Sequence, residues 1–223
     1  SVNYKVNDGS DKDSKVIDIT VEEKATGEIT AGAGFGTDGG TLLFGIKENN
    51  YLGKGLIVEA EANLSADSIK GQFGVTNPNY NNTDKMVFSS FKASEIDRLS
   101  SSGYKTNKTG FELGTKFEYL EDFKLGASGR SYYEKIETDS TASATQQKQE
   151  GDYWDTFLNL DFDYDKRNQK FQTTKGYRSI FNLDIPLISD TSTLTNSYDF
   201  RKYTEIYENN RTSISFSIKS AFS

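Results

Sequence analysis

Trp154-Asp155-Thr156-Phe157-Leu158-Asn159-Leu160-Asp161-Phe162-Asp163-Tyr164-Asp165 alternates between two kinds of side chain. Trp154, Thr156, Leu158, Leu160, Phe162 and Tyr164 make one row, and Asp155, Asn159, Asp161, Asp163 and Asp165 interleave with it. A period of two belongs to an extended strand, whose successive side chains point to opposite faces. One row wants lipid or an apolar core, and the other wants water. The run also has the ~9–11 residues that a tilted strand needs to cross a bilayer, against ~5–6 for strands of soluble domains. Trp154 and Tyr164 end the apolar row, as expected where two aromatic girdles bracket an apolar band of ~25 Å.

Working outward, the pattern recurs along the chain. Ile29, Ala31, Ala33 and Phe35 alternate with Glu28, Thr30, Gly32 and Gly34, and similar rows follow at 42–46, 56–64, 69–75, 111–119, 123–127, 177–185 and 214–222. With two less regular segments, 86–93 and 194–207, this makes eleven strands from Gly27 onward. Lys202 shares the parity of Tyr198 and Phe200. A lysine at mid-membrane costs ~2–4 kcal/mol, so Lys202 needs a bulge, a parity shift or a place near the interface. Short spacers at 49–55, 77–84, 119–123 and 208–211, against longer ones at 95–105 and 137–152, predict one rim of turns and one of loops. The polar, low-complexity stretch 138–150 reads as a mobile surface loop.

Composition narrows the function. The 223 residues include 29 aromatics, too many for a disordered chain, yet no apolar run approaches the ~18 residues of a spanning helix. With no His and no Cys, serine triads, cysteine nucleophiles, His/Cys zinc sites and disulfides each lack a required member. A net charge of -7 offers nucleic acid no basic footprint. The glycines of 32–36 lack the following helix of a phosphate loop, and Asp161, Asp163 and Asp165 lack the Gly and Glu that complete a calcium loop. These carboxylates are expected to line a watery lumen opposite Arg130 or Arg178. No catalytic residue, metal site or cofactor is expected, and the chain is read as a non-enzyme. A soluble β-sandwich also alternates and is the competing architecture.

The ends look cut: Ser1 opens into a strand-like run at 2–6, and Ser223 follows one. Bacterial single-chain barrels close with an even number of strands, and an open edge in hydrocarbon leaves backbone groups unpaired. A fragment of an antiparallel transmembrane β-barrel is therefore expected, with further strands beyond residue 223.

The connections resemble those of the BamA family of outer-membrane barrel-assembly proteins. Val21-Glu22-Glu23-Lys24, Gly27 and the run Gly32-Ala33-Gly34-Phe35-Gly36 are similar to the family's passage from its last periplasmic POTRA domain into the first barrel strand. Asn50-Tyr51-Leu52-Gly53-Lys54-Gly55 resembles the first periplasmic turn, and Asn77-Pro78 with Tyr80 the second. Asp165, Arg167, Thr174, Gly176 and Arg178 follow a later family segment, except that Thr173 stands where Pro is usual. The resemblance implies that residues 1–24 close a POTRA domain and that 25–223 supply eleven of sixteen barrel strands. It implies an outer-membrane factor that folds and inserts nascent barrel proteins, with the bilayer, those proteins and accessory periplasmic lipoproteins as partners. The first strand, Gly27, Glu28, Ile29, Thr30, Ala31, Gly32, Ala33, Gly34 and Phe35, would be its lateral gate, because glycines weaken strand packing and register. A TamA-like relative fits the same motifs, and a passive porin or surface antigen is the alternative function.

Overall fold

The computed structural model describes residues 2–222 apart from 12, 23, 37–38, 191–192 and 208–211, with the backbone alone at 222. The expected turn at 208–211, Glu23 of the N-terminal motif, and Ser1 and Ser223 lie outside the described residues. An N-terminal hairpin pairs β1 (Val2–Asp8) with β2 (Lys15–Val21). A second sheet holds β3 (Gly27–Gly36), β4 (Gly39–Tyr51), β5 (Leu56–Ser65), β6 (Ser68–Asn77), β7 (Met86–Arg98), β8 (Tyr104–Leu120), β9 (Phe123–Thr138), β10 (Gly151–Asp165), β11 (Gly176–Ile188), β12 (Leu194–Thr204) and β13 (Thr212–Phe222). These eleven strands are hydrogen-bonded in chain order, each antiparallel to the next, with β3 and β13 at the two edges. The eleven expected strands are all present, and β7 to β10 run to 13, 17, 16 and 15 residues.

Register explains why the alternation matters. Leu158, Leu160 and Phe162 lie beside Gly129, Ala127 and Leu125 of β9 and beside Ile185, Leu183 and Phe181 of β11. The apolar rows of successive strands thus merge into one face. No second sheet or helix covers that face among the described residues. Ile29 and Phe35 are 86% and 91% exposed, and Leu158, Leu160 and Phe162 are half-buried between their strand neighbours. A β-sandwich would have enclosed this row. The opposite face carries Glu112, Lys116, Arg130, Asp161, Asp163, Asp184 and Arg178. An uncovered oily face opposite an ionic face is the inverse of a soluble domain and matches a sheet whose solvent on one side is lipid.

Several expectations need correction. Connections at the rim where β3 begins (the proximal rim) span 52–55, 78–85, 121–122, 166–175 and 205–211, while the distal rim has 37–38, 66–67, 99–103, 139–150 and 189–193. Both rims mix tight and long connections, so the expected division into turns and loops fails. The reason is strand length: the supposed loop 95–105 is mostly ladder, with Asp97 opposite Lys105 and Arg98 opposite Tyr104. Nor is 138–150 a loose loop. Asp139 accepts from both the N–H (2.7 Å) and the hydroxyl (2.6 Å) of Thr141, Ser143 and Gln146 form a reciprocal capping box, and Ala142 is buried against Gly103. Polar side chains here fold the segment on itself. The irregular 86–93 segment is an ordinary strand whose Met86 and Phe88 point to the polar face, where the Phe88 ring fills the space above Gly114. Lys202 keeps its parity without a bulge and sits two residues from the proximal end of β12, opposite Tyr177 and Ile214.

Candidate functional site

The first strand of the large sheet is hydrogen-bonded on one side only. Asn49 donates to the Thr26 carbonyl at 3.4 Å, and the register then runs Gly27 opposite Glu48 through Gly36 opposite Gly39. In an antiparallel ladder, directly opposed residues alternate between bonding each other and facing away. Glu28, Thr30, Gly32, Gly34 and Gly36 therefore bond to β4. Gly27, Ile29, Ala31, Ala33 and Phe35 turn both backbone groups toward the unpaired edge, while their side chains point to the apolar face. The strand presents a continuous row of donors and acceptors framed by exposed Ile29 and Phe35.

The glycines at 32, 34 and 36 are not forced by packing. A Cβ at Gly34 or Gly36 would meet nothing within 4 Å, and at Gly32 only the Leu43 Cβ at 3.8 Å. In β8 the situation reverses: a Cβ at Gly114 would fall 2.5 Å from both Phe88 and Ser128, and one at Gly110 only 2.6 Å from Tyr132. Glycine in β8 makes room for neighbours, whereas glycine in β3 leaves the polar side of the strand bare and lowers its hold on β4.

The motif residues of the connections form compact proximal turns. The Gly55 N–H donates to the Asn50 side-chain carbonyl at 2.6 Å, while Leu52, Gly53 and Gly55 take positive φ, with Tyr51 closing the turn as acceptor from Lys54. Asn77 accepts from the Asn79 N–H across Pro78 at 3.1 Å. Thr173, in place of Pro, donates its hydroxyl to the Gln169 carbonyl at 2.7 Å, a restraint that Pro could not supply. Thr174 is held by Asn168, and Gly176 has a φ of +100° where a Cβ would strike the Lys166 carbonyl.

On the polar face the expected carboxylate row joins a charge ladder. Arg167 grips Asp165 through two bonds of 2.7 Å, Arg178 grips Asp163 at 2.9 and 2.7 Å, and Lys116 ion-pairs with Asp161 and, at 3.5 Å, with Asp163. Arg178 is the basic partner expected for these carboxylates; Arg130 instead meets Asp184 at 2.6 Å. Bidentate Arg–carboxylate pairs fix geometry as well as charge. Lys116 and the turn-borne Arg167 were not picked out from sequence as ladder members. Lys116 lies 45 residues from Asp161, and only the order of strands brings them together. In the proximal connections, Lys166 is held by Asp122 at 2.6 Å, and that carboxylate raises the tendency of the amine to stay protonated. Trp154 lies against Tyr133 toward the distal rim, and Tyr164 against Phe123 and Tyr177 toward the proximal rim.

Comparison with known proteins identifies the lineage of this sheet. A model of the Omp85 superfamily domain matches residues 50–223. The crystal structure of BamA from Haemophilus ducreyi lacking POTRA domains 1–3 superposes with a TM-score of 0.76 at 18% identity, over 100% of this chain and 46% of that one. CdiB from Escherichia coli gives 0.55 at 14% identity (99% and 45% covered), and CdiB from Acinetobacter baumannii 0.51 at 11% (100% and 44%). The chain spans less than half the length of each of these structures, and at such identities the likeness is one of fold.

Proposed function

The chain belongs to the Omp85 superfamily of outer-membrane proteins, and from that premise we propose that it is an assembly factor that folds and inserts nascent β-barrel proteins. The observation that carries the reading is the bareness of β3, where a Cβ at Gly34 or Gly36 would meet nothing within 4 Å. Gly27, Ile29, Ala31, Ala33 and Phe35 offer unpaired backbone groups to an extended segment, which adds by β-augmentation. In hydrocarbon each unsatisfied backbone group costs several kcal/mol, so a strand end that finds this edge is strongly held. The bare polar side of Gly32, Gly34 and Gly36 lets the same strand release its partner. Folding is driven by hydrogen bonding and burial, without covalent chemistry or a cofactor.

In this reading residues 1–24 are the last strands of a periplasmic POTRA domain, and the proximal rim, with Asn50, Tyr51, Leu52, Gly53, Gly55, Asn77, Pro78 and the segment from Asp165 to Arg178, faces the periplasm and its accessory lipoproteins. Trp154 and Tyr164 are girdle residues. Ten residues at ~3.3 Å each, tilted by ~40°, separate them by about 25 Å along the membrane normal, the height of the apolar band. A passive porin is the second reading, favoured by a recess of about 620 Å³ on the polar face lined by Glu61, Lys70, Lys92, Lys108, Glu112 and Arg130.

Site-specific photo-cross-linkers at Ile29, Ala31 and Ala33, with Leu113 as control, separate the two. An assembly factor captures incoming outer-membrane proteins from the β3 positions and not from Leu113. A porin gives no capture from either.

A further inference from the structure

The proximal rim contains a lysine that the assembly role does not use. Lys202 is exposed and points to the apolar face in the same row as Tyr198 and Phe200. Among the described residues no carboxylate lies within ion-pair distance of it. The other strand-borne lysines on this face differ: Lys105 pairs with Glu95 and Asp97, and Lys135 with Glu137, all at the distal rim. The register puts Lys202 directly opposite Tyr177, and Lys166 donates its backbone N–H to the Tyr177 carbonyl. Lys166, the first residue past β10, Tyr177 on β11 and Lys202 on β12 thus stand side by side, the two lysines flanking the tyrosine. At ~4.8 Å per strand their backbones are ~10 Å apart, a span that two flexible side chains close over one phosphate. The Lys166 ammonium leans over the Tyr164 ring at 6.0 Å, and the Tyr164 and Tyr177 rings meet edge to face at 5.8 Å.

We propose that Lys202, Tyr177 and Lys166 bind the phosphate of a phospholipid headgroup at the proximal rim. The site rests on the reading that the apolar face contacts lipid. Acyl chains lie on Phe200, Phe181 and Phe162 below, and the phosphate diester meets the ammonium groups and the tyrosine hydroxyl at the level where hydrocarbon gives way to water. Lys202 supplies the free charge, since Lys166 also holds Asp122. The charge complements a phosphate and nothing else in its row, and a lysine stem can cover apolar surface while its head reaches the interface.

The test is titration of the folded, detergent-purified protein with phosphatidylglycerol, counting bound lipid by native mass spectrometry. An interfacial lysine changes affinity about five-fold, so Lys202→Gln should weaken binding by that factor, Lys202→Arg should restore it, and Lys135→Gln at the distal rim should leave it unchanged. Resistance of the folded band to unfolding in detergent gels confirms that each variant is intact. Equal binding by wild type and Lys202→Gln overturns the site, as does equal displacement by inorganic phosphate, which would make it a receptor for soluble anions. If the lipid-facing reading itself is wrong, wild type retains no lipid at all, an outcome distinct from both.

Discussion

Glycine means opposite things at the centre of this sheet and at one of its edges. In β8, Gly110 and Gly114 are the floor on which Tyr132, Ser128 and Phe88 rest, and their missing side chains are filled by neighbours. In β3, Gly34 and Gly36 face open space. The first pattern locks a wall: β8, β9 and β10 are the longest strands, Lys116–Asp161 ties β8 to β10 across β9, and Arg178–Asp163 ties β10 to β11. The second leaves a strand with few side-chain contacts on its polar face. The proposed assembly role, in which the sheet stays whole while one margin opens, uses both.

Attacking the wall should have the largest effect. Arg178→Met leaves Asp163, whose side chain is 8% exposed, without its bidentate partner, and removing one member of such a pair costs about 3 kcal/mol; the folded band should be lost at lower temperature in a heat-modifiability gel. Gly114→Val pushes into Phe88 and Ser128, and overpacking of this kind costs ~1–3 kcal/mol; Phe88→Ala in the same chain should recover part of the loss. Gly34→Ala goes the other way, because a strand gains ~0.5–1 kcal/mol from losing the flexibility of glycine and nothing stands in the methyl's path. That variant should unfold no more easily than wild type yet insert client barrels more slowly. If Gly34→Ala and Gly114→Val shift stability in the same direction, the contrast between the regions is wrong.

The smallest effect concerns the distal connection. The Thr141 hydroxyl and N–H hold the Asp139 carboxyl below its ordinary range. A lowered folded-state pKa stabilises above the unfolded value and is lost as pH falls through the folded one. Proteolysis at 139–150 should therefore be slow near pH 6 and faster below about pH 4, and Thr141→Ala should blunt that difference.

Much of this was legible from residue order, for a physical reason. In a sheet facing two solvents, period-two alternation records which solvent each side chain meets, so the row from Trp154 to Tyr164 announces both strand and face. Alternation fails where the polar face is itself packed, as at Phe88 over Gly114 and at Phe157, which stacks on Tyr132 among carboxylates. Spacer composition misled at 95–105, where charged residues extend a ladder, and understated the order of the 139–150 loop, where Asp139, Ser143 and Gln146 hold turns together. Of the candidate site, the glycines of β3 stood out at once, but which backbone groups they leave free depends on pairing register. The ladder through Lys116 was invisible for the same reason: its partners are distant in the chain and adjacent only once β8, β9 and β10 are aligned.

The central claim is that an incoming strand bonds to the outward-turned backbone of β3, and proline tests it most directly. Ala31 directs its N–H to the unpaired edge, so Ala31→Pro removes a donor from the template without touching the ladder to β4, and edge strands tolerate proline at such a position. Gly32→Pro removes a bond to β4. Client insertion measured in reconstituted vesicles should be lost in Ala31→Pro while the protein itself stays folded and heat-modifiable, and Gly32→Pro should destabilise the β3–β4 hairpin. Insertion by folded Ala31→Pro at the wild-type rate would contradict the account.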